Sequence, residues 1–184
     1  MSEHDRDHWD ARYRESSSHI GQISPPPVFA AHESVFPTQG RALEIACGSG
    51  RGGLWLAERG LDYFGVDVSP VAVELARALA ATHRLEHRCR FEVWDLDTGL
   101  PKGPEVDLLL CHRFRDSSLD QQLIERLAPG GLLAIAVLSE VGSRPGQFRA
   151  RPGELVDAFA GLDRIVAGEA GGMAWLIGRK RGGP

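Results

Sequence analysis

The chain has 184 residues, of which 42% are hydrophobic and 25% charged, with a formal net charge of −4 at pH 7. That length suits one domain with a sizeable core, and so mildly acidic a chain has no global field to draw it onto nucleic acid or anionic lipid. No apolar run approaches the roughly 20 residues of a membrane span.

The three cysteines, Cys47, Cys89 and Cys111, form no C-x-x-C pair, which argues against a structural zinc or a disulfide framework. The opening "MSEHDRDHWD" is charged and unlike a secretory leader, so a cytoplasmic protein is expected. Residues 5–15, "DRDHWDARYRE", read as a short amphipathic helix with Trp9 and Tyr13 one turn apart on one face. "SSSHIGQISPPP" then reads as a Pro-rich linker.

From Ala42 onward strands and helices alternate. "ALEIA" (42–46) is a strand entering a glycine turn, and "RGGLWLAERG" (51–60) is a helix. "DYFGVDV" (62–68) is the next strand. In "SPVAVELARALAATHR" (69–84) Ser69 suits the N-cap, Pro70 the first turn, and Val71, Leu75 and Leu79 an apolar stripe. "CRFEVWDL" (89–96) and "EVDLLLCH" (105–112) are strands, and "SLDQQLIERLA" (118–128) is a helix stopped by Pro129-Gly130-Gly131. "LLAIAVLS" (132–139) is apolar throughout, as in the middle of a parallel sheet. After a loop (141–151) come a helix, "PGELVDAFAG", and two strands, "LDRIVAGEA" and "GMAWLIGRK", with no room for a helix between them. The alternation predicts a doubly wound α/β sheet closed by an antiparallel hairpin.

The stretch "ALEIACGSGRGG" carries the first chemistry. Gly48, Gly50 and Gly53 spell G-x-G-x-x-G between a strand and a helix, where backbone N–H groups approach a ligand closely. Taken alone that pattern also fits a dinucleotide, but Glu44 at the end of the strand would oppose a diphosphate. A carboxylate there suits a ligand with an ammonium group, such as the methionine part of S-adenosylmethionine (SAM).

On these residues the chain resembles the class I SAM-dependent methyltransferases, whose first motif runs apolar-apolar-acid-apolar-Gly-x-Gly-x-Gly. "ALEIACGSG" follows it, with Ala46 in place of the first glycine, a mild departure if φ stays negative there. "YFGVDVSP", "FEVWDLDTGLP" and "IERLAPGGLLAI" match the motifs that follow, and together the resemblance covers about residues 41–178. It implies a Rossmann-like αβα sandwich with a seven-stranded, mostly parallel sheet in the order 3-2-1-4-5-7-6, strand seven antiparallel. It further implies cofactor binding by Glu44, Ala46, Gly48, Ser49, Gly50, Asp67, Val68, Asp95, Leu96 and Cys111, with Asp67 on the ribose hydroxyls, Val68 on the adenine face and Asp95 on the adenine amino group. "HWDARYRES" resembles the opening helix of the small tellurite-resistance-type members, which lies over the cofactor. The chain then divides into a lid helix with linker (1–27) and a SAM-binding domain (28–184).

Trp9, Arg12 and Tyr13 either touch cofactor or substrate or merely staple the helix to the core. "CHRFRD" leaves the fourth strand at the carboxyl edge, so His112 is a candidate general base or a structural histidine, and Arg113 faces the substrate side. Arg144, Arg149 and Arg151 form a basic loop, suited to an anionic substrate or simply solvated. No metal is expected. The acceptor is expected to be a small molecule, with no nucleic-acid or membrane partner, and the protein a monomer or homodimer. The rival readings are an NAD-dependent oxidoreductase and a non-catalytic SAM-binding module.

Overall fold

The structure, a computed structural model, describes residues 3–16, 22–144, 146 and 149–182. Residues 17–21 of the linker and residues 145, 147 and 148 of the arginine loop lie outside it. Its strands are β1 (Arg41–Ile45), β2 (Asp62–Asp67), β3 (Cys89–Val93), β4 (Val106–His112), β5 (Leu127–Ser139), β6 (Arg149–Ala150), β7 (Asp163–Ala170) and β8 (Met173–Arg179). The sheet order is β3-β2-β1-β4-β5-β8-β7, and the β5–β8 and β7–β8 pairings are antiparallel. Apart from the short β6, this is the expected order, terminal hairpin included.

Period-two alternation along buried strands sorts the core into two layers. Leu132, Ala134 and Ala136 of β5 join one apolar cluster, whereas Leu133, Ile135 and Val137 join the other. The first cluster takes in helices α2 (Arg51–Glu58) and α3 (Pro70–Thr82). The second takes in α4 (Asp120–Arg126) and α5 (Glu154–Ala158). The αβα sandwich follows directly. Ser69 caps α3 as expected, its hydroxyl accepting from Ala72 N–H at 3.1 Å, with Pro70 in the first turn.

Four local features differ from the expectations. Residues 27–35 form a 3-10 helix that buries Phe29 in the first cluster, next to Phe36. The third strand stops at Val93, because the Asp95 carboxylate accepts from Asp97 N–H at 3.0 Å and starts a 3-10 turn, Leu96–Thr98. Pro129-Gly130-Gly131 does not separate helix from strand but lies inside β5, whose Gly130 and Gly131 exchange hydrogen bonds with Lys180. Finally, the arginine loop contributes β6, paired with Leu138 and Ser139 past the point where β4 pairing ends at Ala136.

One glycine of the loop is required by packing alone. The ring of Tyr63, fully buried on β2, lies where a Cβ on Gly53 would be. Gly53→Ala is therefore expected to destabilise the fold by about 2 kcal/mol or more, read from the urea midpoint at constant m. An unchanged midpoint would contradict the packing described.

Candidate cofactor site

Helix α1 (Glu3–Ser16) crosses the carboxyl edge of the sheet and, with the loop after β1 and the ends of β2, β4 and β5, encloses a cavity of about 390 Å³. Its walls include Trp9, Arg12 and Tyr13 from α1, Glu44, Ala46, Cys47, Gly48, Ser49, Arg51 and Gly52 around the glycine loop, Asp67 and Val68 from β2, and His112, Arg113, Phe114 and Leu138. Most of the residues expected to touch a cofactor are thus brought to one place.

The loop is built from left-handed residues. Gly48 (φ 54°) and Gly50 (φ 75°) need them, and Gly50 opens α2. Ala46 also has positive φ, 49°. The expectation that alanine is harmless here because φ stays negative is therefore corrected: the position favours glycine, and Ala46 carries strain of about 1–2 kcal/mol. Arg113, at the other side of the cavity, is left-handed too (φ 64°), its N–H held by Ala136 O at 2.7 Å.

Two carboxylates flank the loop. Asp67 accepts from the N–H groups of Gly48 (2.8 Å) and Ser69 (2.9 Å), which pins the glycine turn to the end of β2. Burial nevertheless raises its pKa, opposed by those backbone donors. Glu44 is only 4% exposed, and its Oε2 accepts from the Tyr63 hydroxyl at 2.7 Å. Burial pushes its pKa up to about 8, against the pull of the Tyr63 and Gly53 donors. At neutral pH burial thus favours the protonated carboxyl.

Helix α1 is fastened at two points. The Ser69 hydroxyl that caps α3 also donates to buried Asp10. Tyr13 projects over the loop, its hydroxyl 2.6 Å from where a Cβ on Gly48 would lie, and burial raises its pKa well above the usual phenol. The Trp9 and Tyr13 rings stand 6.1 Å apart, with Arg12 over Trp9 at 5.4 Å.

Several candidates stand elsewhere. Asp95 and Leu96 are not part of this cavity wall, Asp95 capping its 3-10 turn and Leu96 being buried in the second cluster. Cys111 is buried with its thiol on Phe114 O at 3.2 Å. His112 does line the cavity, but burial and Arg113 lower its pKa to about 4, so the imidazole is neutral and a weaker base than the ordinary value implies. Arg149 donates to Ser139 O at 2.8 Å and lines a separate cavity of about 800 Å³ beyond Phe114. There Arg149 and Arg151 meet Asp116, Asp120, Glu154 and Asp157, so these two arginines stand among carboxylates. Arg115, which sequence reasoning missed, is buried in that wall and bonded to Asp120 (2.6 and 2.9 Å) and Glu154 (2.7 Å). Only the fold brings these three together.

Residues 42–131 match the family described as "Methyltransferase domain". The chain is 29% identical over 133 residues to 2-heptyl-1-hydroxyquinolin-4(1H)-one methyltransferase of Mycobacteroides abscessus, covering 68% of this chain and 57% of that protein. It thus spans little more than half the length of that relative. Among solved structures it is similar to TehB from Haemophilus influenzae (TM-score 0.76, 17% identity, 90% of this chain and 65% of that one). It is also similar to magnesium protoporphyrin IX methyltransferase from Synechocystis PCC 6803 with bound SAM (TM-score 0.72, 15% identity, 95% and 94%). The domain match, the strand order and the glycine loop agree in their likeness to the class I SAM-dependent methyltransferases.

Proposed function

We propose that the protein transfers a methyl group from SAM to a small-molecule acceptor. The observation that carries this reading is Glu44: a buried carboxyl, raised to about 8, on the wall of a cavity roofed by a left-handed glycine loop. Such a group is held neutral until a cation arrives, and the methionyl ammonium is that cation. Asp67, held at the end of β2, accepts from the ribose hydroxyls with lone pairs left after its two backbone bonds. Ala46, Gly48, Ser49 and Gly50 supply close backbone, and Val68 an apolar face. In this reading Asp95, Leu96 and Cys111 shape the adenine end and the strand-four floor from behind the cavity wall.

When bound, SAM supplies an electrophilic methyl group open to in-line displacement. The chain's own part is to orient the reactants and exclude water. Trp9, Arg12 and Tyr13 of the α1 lid close the cavity, His112 and Arg113 border the acceptor side, and Arg149 stands at the adjoining cavity. His112, neutral above about pH 4, takes a proton from the acceptor where the acceptor carries one. Residues 1–27 serve as lid and linker, and residues 28–184 as the SAM-binding domain. We place the protein in the cytoplasm, as a monomer or homodimer with no nucleic-acid or membrane partner. Among the described residues no helix is long and apolar enough to cross a membrane.

Glu44→Gln and Asp67→Ala are each expected to weaken SAM binding tenfold or more in calorimetry while the fold persists; unchanged affinity in both would defeat the site assignment. SAM at 100 times its Kd should stabilise the wild type by about 2.7 kcal/mol, whereas NAD should give no thermal shift. Removing residues 1–15 should lower turnover, and equal turnover would leave α1 a packing element only.

The raised Glu44 pKa also sets a stability trend. In the folded apoprotein Glu44 keeps its proton to about pH 8, whereas unfolded it loses it near 4.5. Its contribution is therefore fully present below about pH 4.5 and is lost as pH rises towards 8. Glu44→Gln is expected to have a higher apo melting temperature than wild type at pH 7.5, with the gap closing near pH 4.5. A gap that stays constant with pH would contradict the assignment.

A further inference from the structure

Glu44 does not stand alone in its pocket. The Tyr63 side chain runs along β2, past Gly65 and under α2, to bring its hydroxyl to Glu44 Oε2 at 2.7 Å. Phe91 on β3 packs edge-on against the ring, centroids 5.5 Å apart at 73°. Two missing side chains make the path. A Cβ on Gly53 would overlap the ring, and a Cβ on Gly65 would overlap the hydroxyl oxygen itself. Gly53 makes room for the ring and its hydroxyl together, whereas Gly65 chiefly clears the hydroxyl. The other carboxylate oxygen, Oε1, borders the cavity beside Gly52, 3.3 Å from where a Cβ there would lie.

We propose that Tyr63 is a positioning residue for the cofactor: its hydroxyl clamps Oε2 of Glu44 and thereby turns Oε1 towards the cofactor's amino group. The inference rests on reading the cavity as a SAM site. Tyr63 touches neither cofactor nor acceptor; it acts through Glu44.

Burial keeps the phenol protonated at any physiological pH, so it donates to Glu44 throughout. Donation favours the ionised carboxylate. The other groups facing Glu44 are Asp67 at the end of β2, Cys47 after β1, Cys111 on β4 and Tyr13 on α1. Arg12, Arg51, His112 and Arg113 share the cavity wall. Of these, Cys47 also shares a hydrogen bond with Tyr63, but burial keeps its thiol neutral, so a shift in Glu44 titration reports the loss of the Tyr63 donor.

The test is Tyr63→Phe, which keeps the ring and its contact with Phe91. S-adenosylhomocysteine affinity is measured by calorimetry from pH 6 to 8.5, and Glu44 is titrated by ¹³C NMR of its carboxyl in the apoprotein. The expected result is a roughly tenfold loss at pH 7, an acid limb moved to higher pH, and a higher Glu44 pKa. Gly65→Ala, which crowds the hydroxyl most and the ring carbon that bears it less, is expected to reproduce the shift and provides a second route should Tyr63→Phe fold poorly. Wild-type affinity and titration in the Tyr63 variant, with Glu44→Gln still impaired, would overturn the proposal but leave the site reading intact. A loss of affinity without a shifted profile would make Tyr63 a packing residue only and likewise overturn it. Wild-type binding by both Tyr63→Phe and Glu44→Gln would instead remove the site reading on which it rests.

Discussion

A carboxyl buried in the second-last position of a parallel strand is the constraint around which this site is organised. Glu44 sits in β1 between β2 and β4, with Leu43 and Ile45 pointing into the opposite layer. An unpaired charge there would be prohibitive, so the group rests near neutrality, with its burden shared by the Tyr63 hydroxyl and the Gly53 N–H. Those donors impose requirements of their own. Gly53 and Gly65 must lack side chains for Tyr63 to reach its place, and the short α2 must start where Gly50 turns left-handed.

The same economy governs the loop. Its turn is held to β2 by one carboxylate, Asp67, which takes N–H groups from both Gly48 and Ser69. Ser69 in turn caps α3 and bonds Asp10 of α1. A single short segment, 67–69, therefore couples the loop, α3 and α1. Of the three left-handed non-glycine residues among those described, Ala46, Arg84 and Arg113, two border the cavity. Non-glycine residues in that region persist where surrounding contacts over-determine them, which is common at ligand sites.

What the sequence made legible was local. Glu44 and Asp67 end strands whose apolar periodicity is plain, and Ser69-Pro70 announces its helix, so these residues were placed correctly from neighbours alone. The hairpin of β7 and β8 followed from the lack of room for a helix between them. What escaped depends on contacts between distant segments. The Arg115–Asp120–Glu154 cluster joins the end of β4 to α4 and α5, and its cavity sets Arg149 and Arg151 among carboxylates. Tyr63 is one aromatic in an apolar strand, and nothing in its own stretch of sequence reveals Glu44 on the neighbouring strand. The end of the third strand differs for the opposite reason: the local cap at Asp95 outcompetes the strand, which stops at Val93. Ala46 looked harmless because φ cannot be read from residue type.

The central claim is that Glu44 waits as a neutral acid and ionises to meet a cationic headgroup. Proton release on SAM binding, measured by titration calorimetry at pH 7 in two buffers of different ionisation enthalpy, tests it most directly. The account predicts that close to one proton leaves per SAM bound, and that this release disappears in Glu44→Gln. Binding of SAM to the wild type with no proton released, or with the same release in the variant, would contradict it.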